Sequence, residues 1–157
     1  MITFIENWID ETLNNYSSQK QSCSQFSEEF KGFYPLEFLQ KCNFVVVNKI
    51  PKPDHPSLID AGLGSFIDEP SDGITYKNTY FIKSGYEQTP SLHFHELVHV
   101  LQWNILGVSG FINRYIYELK KYGYDDAPLE VMAYYLEDLY SNNEKPIDVS
   151  NYVNQKI

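Results

Sequence analysis

Little in this chain is basic. Its 157 residues hold 12 Lys and Arg against 21 Asp and Glu, a formal net charge of −9, whereas a nucleic-acid footprint needs clustered cations to neutralise phosphates. No nucleic-acid partner is expected. Cysteine is scarce too: Cys23 and Cys42 are too few and too far apart for a zinc knuckle or a disulfide framework, and read as ordinary thiols. Internal repeats at solenoid periods are missing. No apolar run approaches the length of a membrane span, and the opening "MITFIENWIDE" carries acids where a signal peptide carries a basic segment. The expectation is a cytoplasmic protein with no membrane partner. Composition leaves export by a non-Sec route and oligomeric state open.

What the chain does have is apolar and aromatic content: 43% and 16% of residues, the latter through 13 Tyr and 10 Phe. That is the composition of a folded globular chain, and the length suits a single domain with its own core.

Periodicity divides it. Ile2, Ile5, Ile9, Leu13 and Tyr16 recur at helical spacing, which predicts a first amphipathic helix over about residues 3 to 18. "SSQKQSCSQ" follows as a linker. Ser27 with Glu28 and Glu29 marks a second helix start, broken or kinked at Pro35. "NFVVVNKI" predicts a strand, "PKPDHPSLIDAGLGSF" a long ordered loop, and "GITYKNTYFIKSG" a hairpin turning at Lys77-Asn78. Thr89 then Pro90 announces a helix capped by the threonine hydroxyl and ended at Gly107. Another runs from about Ser109 to Lys121, and a last one from "DDAPLE" through "VMAYYLEDLY". The polar end, "SNNEKPIDVSNYVNQKI", is expected as a loosely held tail.

The chemistry concentrates in "SLHFHELVHVLQWNILG", residues 91–107. His95, Glu96 and His99 form H-E-x-x-H. On a helix the two histidines lie one turn apart on one face, suited to adjacent positions on a tetrahedral Zn²⁺. Glu96, about 100° round from His95, is too far to be a ligand but is placed to act as a general base on a water. Phe94, Leu97, Val98, Leu101 and Ile105 occupy the opposite arc as a core face, while Gln102 and Trp103 fall on the histidine side. Trp103 is expected to wall a pocket. His93 points about 160° away from His95 and reads as a buried histidine bonded to a neighbouring strand or loop. His55, on a remote loop, is given no role.

A catalytic zinc needs a third protein ligand and an open position. Downstream acids include Glu118, Asp125, Asp126, Glu130, Glu137 and Asp138. Glu130 flanks the stripe Leu129, Met132, Leu136 and Leu139, with Tyr134 and Glu137 on the same flank at i+4 and i+7. Its position in "APLE" reads equally as a ligand or as a helix-start carboxylate completing a cap.

Taken together, "GITYKNTYFI", "HFHELVHVLQW", "YGY" and "APLEVMAY", in this order over about residues 44 to 138, resemble small bacterial zincin-like proteins of the gluzincin branch of zinc metallopeptidases. The resemblance implies an α+β fold: a small twisted sheet packed on the H-E-x-x-H helix and on a following helix that carries a glutamate. It implies His95, His99 and Glu130 as zinc ligands, Glu96 as catalytic acid/base, and the strand around Tyr80 to Ile82 along the cleft. Residues 1–40 would be a helical N-terminal part, 44–140 the catalytic core and 141–157 the tail. Two features depart from thermolysin-like gluzincins: Tyr134 stands where they place an acid four residues after the ligand glutamate, and no motif identifies an oxyanion-stabilising residue. Tyr134 is itself a candidate to hydrogen-bond the ligand carboxylate or the oxyanion. The expected function is zinc-dependent hydrolysis of a peptide or protein substrate. The alternative is a zinc-stabilised binding module whose metallopeptidase-like site does not turn over.

Overall fold

The four β-branched or aromatic residues in "NFVVV" cannot bury both faces of a strand without partners on each side, and the chain supplies them. The computed structural model, which describes all of residues 1–157, is an α+β fold with a four-stranded mixed sheet. β1 (Gln21–Ser22), β2 (Asn43–Val47), β3 (Gly73–Tyr76) and β4 (Thr79–Lys83) lie in the order β1-β2-β4-β3. β1 is antiparallel to β2, β2 parallel to β4, and β3 antiparallel to β4 through the expected turn, where Lys77 adopts φ 61.

Seven helices surround the sheet: α1 (Ile2–Asn15), α2 (Leu36–Gln40), α3 (Pro56–Leu58), α4 (Gly64–Asp68), α5 (Pro90–Tyr122), α6 (Pro128–Ser141) and α7 (Val149–Lys156). Strand alternation sends side chains to two separate cores. Phe44, Tyr80 and Ile82 meet Phe94, Leu97, Val98 and Leu101 of α5 together with Ala133 and Leu136 of α6. On the other face Val45, Val47 and Phe81 meet Ile5 and Ile9 of α1 and Phe111 and Ile112 from late in α5. α5 contributes to both cores, to the second through Trp103 as well as Phe111 and Ile112, and it breaks at Gly107, whose φ of 75 and ψ of 168 are not helical. This is the predicted stop, followed at once by the predicted next helix. No helix is long and apolar enough to cross a membrane.

Several expectations need correction. Residues 27–34 form successive turns rather than a helix, with Phe30 N donating to Phe26 O and Phe33 N to Phe30 O; the helix begins only after Pro35. The presumed linker contains β1, and the buried Cys23 follows it. The long loop is mostly helical: α3, a π-turn over Ile59–Leu63 and α4 run on from one another, with Gly62 at φ 92 taking up the bend. Leu58 and Leu63 are buried there, so apolar burial overrides the Pro and Gly content. The tail contains α7, whose Val149 and Val153 are fully buried in the first core. Thr89 precedes α5 but its hydroxyl makes no capping bond, and Ile105 is 37% exposed rather than core.

Candidate metal centre

H-E-x-x-H sits in the first half of α5, where Pro90 in the first turn and the break at Gly107 bound a straight run of helix. Its neighbour α6 starts at Pro128, and its first free N–H groups are met from outside: Leu129 N donates to Oε1 of the buried Glu118 (2.8 Å), whose Oε2 accepts from Arg114 Nε (2.9 Å). Capping therefore falls to Glu118. Glu130 is free for the site.

Nε2 of His95, Nε2 of His99 and Oε1 of Glu130 form a nearly equilateral triangle, with 3.1 Å from each nitrogen to the oxygen and 3.2 Å between the nitrogens. A tetrahedral zinc with bonds of about 2.0–2.1 Å separates its ligand atoms by about 3.3–3.4 Å. The triangle lies within a few tenths of an ångström of that.

The surrounding side chains fix which nitrogen faces the centre. Nδ1–H of His95 donates to Glu137 Oε1 (2.9 Å), and Nδ1–H of His99 donates to Gln102 Oε1 (2.7 Å). The Gln102 amide is oriented in turn, since its Nε2 donates to Leu129 O (3.0 Å). With the Nδ1 protons committed, each ring presents Nε2 inward, the arrangement that raises ligand basicity at metal sites. Oε2 of Glu130 accepts from the Tyr115 hydroxyl (2.7 Å). The expected bond from Tyr134 to that carboxylate is not made.

Glu96 is held apart from the triangle. Its Oε1 accepts from Thr75 Oγ1 (2.9 Å), while Oε2 lies 4.0 Å from His95 Nε2. Oε2 also faces Gly73, where an added Cβ would come within 3.1 Å of it. All four of His95, Glu96, His99 and Glu130 are no more than 5% exposed.

The electrostatics favour a cation. Burial disfavours a charged His95, yet its hydrogen bonds to Glu130 and Glu137 outweigh this and push it up to about 10. His99 is raised on balance for the same reason, Glu130 prevailing over burial. Burial alone would raise Glu130, but the two imidazoles hold it well below the usual carboxylate range. Glu96 is raised by burial, which the histidines only partly offset. No lysine or arginine pairs with Glu96 or Glu130. Two imidazoles with inward nitrogens and one buried carboxylate, that of Glu130, are a donor set that fits a zinc ion.

Tyr134 is 41% exposed. Its ring lies against His95, centroids 4.4 Å apart, and its hydroxyl meets that of Tyr124 at 3.3 Å. Trp103 walls the site as expected, its Nε1 donating to Thr75 O (3.2 Å). His93 stays out of the centre: it is fully buried, bonded to the Tyr80 hydroxyl (2.7 Å) and to Glu87 O (2.9 Å). His55 only caps α3, its Nδ1 accepting from Ser57 N. The strand beside Glu96 is β3, not the expected Tyr80–Ile82 region, because β4 is enclosed between β2 and β3.

Thr75, Tyr115 and Tyr124 went unidentified in the sequence, as did the orienting role of Glu137. Gln102 carried a usable signal, three residues beyond His99 on the ligand face. The others come from separate elements at spacings no helix or strand period defines. No family model matches the chain, nor does any curated protein or solved structure.

Proposed function

We propose that this chain is a zinc-dependent peptidase built on a minimal zincin-like core of the gluzincin type, with His95, His99 and Glu130 as ligands and Glu96 as general base. The observation that carries this reading is the ligand triangle together with a separately held Glu96, since a purely structural metal site has no need of the latter. When bound, zinc supplies Lewis-acid chemistry, acidifying a water toward neutrality and polarising a carbonyl.

The chain's own residues would do the rest. Thr75 pins Glu96 Oε1, so Oε2 is the atom that accepts a proton from the attacking water and later returns it to the leaving amine. Burial raises Glu96 above the ordinary carboxylate range, which the neighbouring imidazoles only partly offset. Glu137 and Gln102 hold the imidazoles in register. The Tyr134 hydroxyl, oriented by Tyr124, donates to the developing oxyanion.

One observation favours the second reading, a zinc-stabilised binding module: the near-complete burial of Glu96 and all three ligands. Metal content by mass spectrometry, followed by a peptide-mixture cleavage assay, separates the two. The peptidase reading requires about one zinc per chain, lost in His99→Ala and Glu130→Ala, and cleavage lost in Glu96→Gln at unchanged zinc content. Zinc without cleavage of any peptide favours the binding module. No retained zinc removes both.

A further inference from the structure

We infer that Tyr115 is a positioning residue for the metal centre: its hydroxyl takes up one oxygen of Glu130, so that this carboxylate offers a metal its other oxygen alone. The inference rests on the metal reading above and adds a residue that the H-E-x-x-H pattern does not supply.

A carboxylate can bind a metal through one oxygen or through both. Glu130 divides its two. Oε1 lies 3.1 Å from Nε2 of both His95 and His99, while Oε2 accepts from the Tyr115 hydroxyl at 2.7 Å. A catalytic zinc with three protein ligands keeps its fourth position open, and a second oxygen from Glu130 would compete for that position. The hydroxyl holds Oε2 back. Ring packing alone does not call for it, since a phenylalanine would fill the same space.

The path of α5 sets the ring in place. Trp103 stands one turn beyond His99, and past the break at Gly107 the residues Phe111 and Tyr115 stand one turn apart on a shared face. Their rings stack across the break: Trp103 on Phe111 with centroids 4.2 Å apart and planes 18° apart, and Phe111 on Tyr115 at 5.5 Å and 13°. Phe66 of α4 meets the Tyr115 ring edge to face at 6.1 Å. The other end of the stack leads to Glu96, because the Trp103 indole donates to Thr75 O and the Thr75 hydroxyl donates to Glu96 Oε1. One aromatic row therefore ends on both carboxylates and holds Glu130 relative to Glu96.

The test is zinc affinity, measured by competition with a chelator, together with the visible absorption of the cobalt-loaded protein, in wild type, Tyr115→Phe and Phe111→Leu. Tyr115→Phe removes only the hydroxyl. It should weaken zinc binding by about tenfold or more, the scale on which lost partners of metal ligands act, and should change the cobalt bands, which report the number and arrangement of ligands. Phe111→Leu keeps the hydroxyl but removes the ring it stacks on, and should shift both readouts in the same direction by less. Unchanged affinity and superimposable cobalt bands in Tyr115→Phe would overturn the inference while leaving the metal reading standing. Weaker zinc binding with superimposable cobalt bands would also overturn it, making Tyr115 a packing residue. Wild type that retains neither zinc nor cobalt would overturn the metal reading and the inference together.

Discussion

Glu137 Oε1 lies 2.9 Å from His95 Nδ1, two turns beyond Glu130 on the same helix. It supplies the acid that orients a histidine, a role the sequence pattern left unfilled because Tyr134 stands one turn earlier. Metal sites lose about 10–100-fold in affinity when such a partner is removed. Glu137→Ala should weaken zinc binding by that order while leaving the fold intact. Competition with a chelator of known affinity measures this, and an unchanged constant would reduce Glu137 to a surface contact.

A side chain at Gly73 would crowd Glu96, since a Cβ there would lie 3.1–3.3 Å from Oε2, Cδ and Cγ of Glu96. Gly73→Ala should displace the carboxylate and lower kcat about tenfold or more, short of the 10²–10⁴ attributed to a complete general acid–base. Zinc stoichiometry should not change. Parallel kinetics and metal analysis decide it; full activity would mean that β3 yields instead of Glu96.

Tyr134 and Tyr124 meet hydroxyl to hydroxyl at 3.3 Å. If Tyr134 donates to the oxyanion, Tyr134→Phe should cost about 10²–10³ in kcat with little change in KM. Tyr124→Phe, acting through Tyr134, should cost less. A Tyr134→Phe enzyme within twofold of wild type would leave that ring as packing against His95.

α7 is bound by burial, and Val153 is its fully buried anchor in the first core. Arg114 Nη1 also donates to Ile157 O (2.7 Å), which ties the chain end to α5. Val153→Ala should cost about 2 kcal/mol, from the lost methyl groups and the space left behind. In a domain of this size that lowers Tm by roughly 4–8 °C. A melting curve indistinguishable from wild type would show that α7 is dispensable.

The thiols predict alkaline lability. Burial pushes Cys23 from an ordinary value near 9 up to about 12, only partly offset by Tyr80, and burial raises Cys42 as well. The folded chain therefore keeps protons that the unfolded chain releases. This contribution to stability is fully present below about 9 and is lost as pH rises through about 12. Urea midpoints should fall across that interval, and less steeply in Cys23→Ala. An equal slope in that variant would assign the lability to Cys42 and the buried tyrosines.

Features that rest on local rules were legible in the order of residues. The H-E-x-x-H face, the proline that opens its helix and the glycine that breaks it are all set within a few residues by helical geometry. The β3–β4 hairpin and the β2 strand were legible from alternation and β-branching in the same way. Residues 56–68 and 149–156 misled because their Pro, Gly and polar content speaks for loops, while a few apolar side chains buried against distant elements hold them helical. Packing gives the α6 cap to Glu118 and turns Glu130 toward His95 and His99, which spacing alone left open. It also brought Glu137, Tyr115 and Thr75 to the site and put β3 rather than β4 beside Glu96. The difference is one of range: a helix fixes which of its own side chains share a face, but which residue of another element reaches that face depends on how the elements pack.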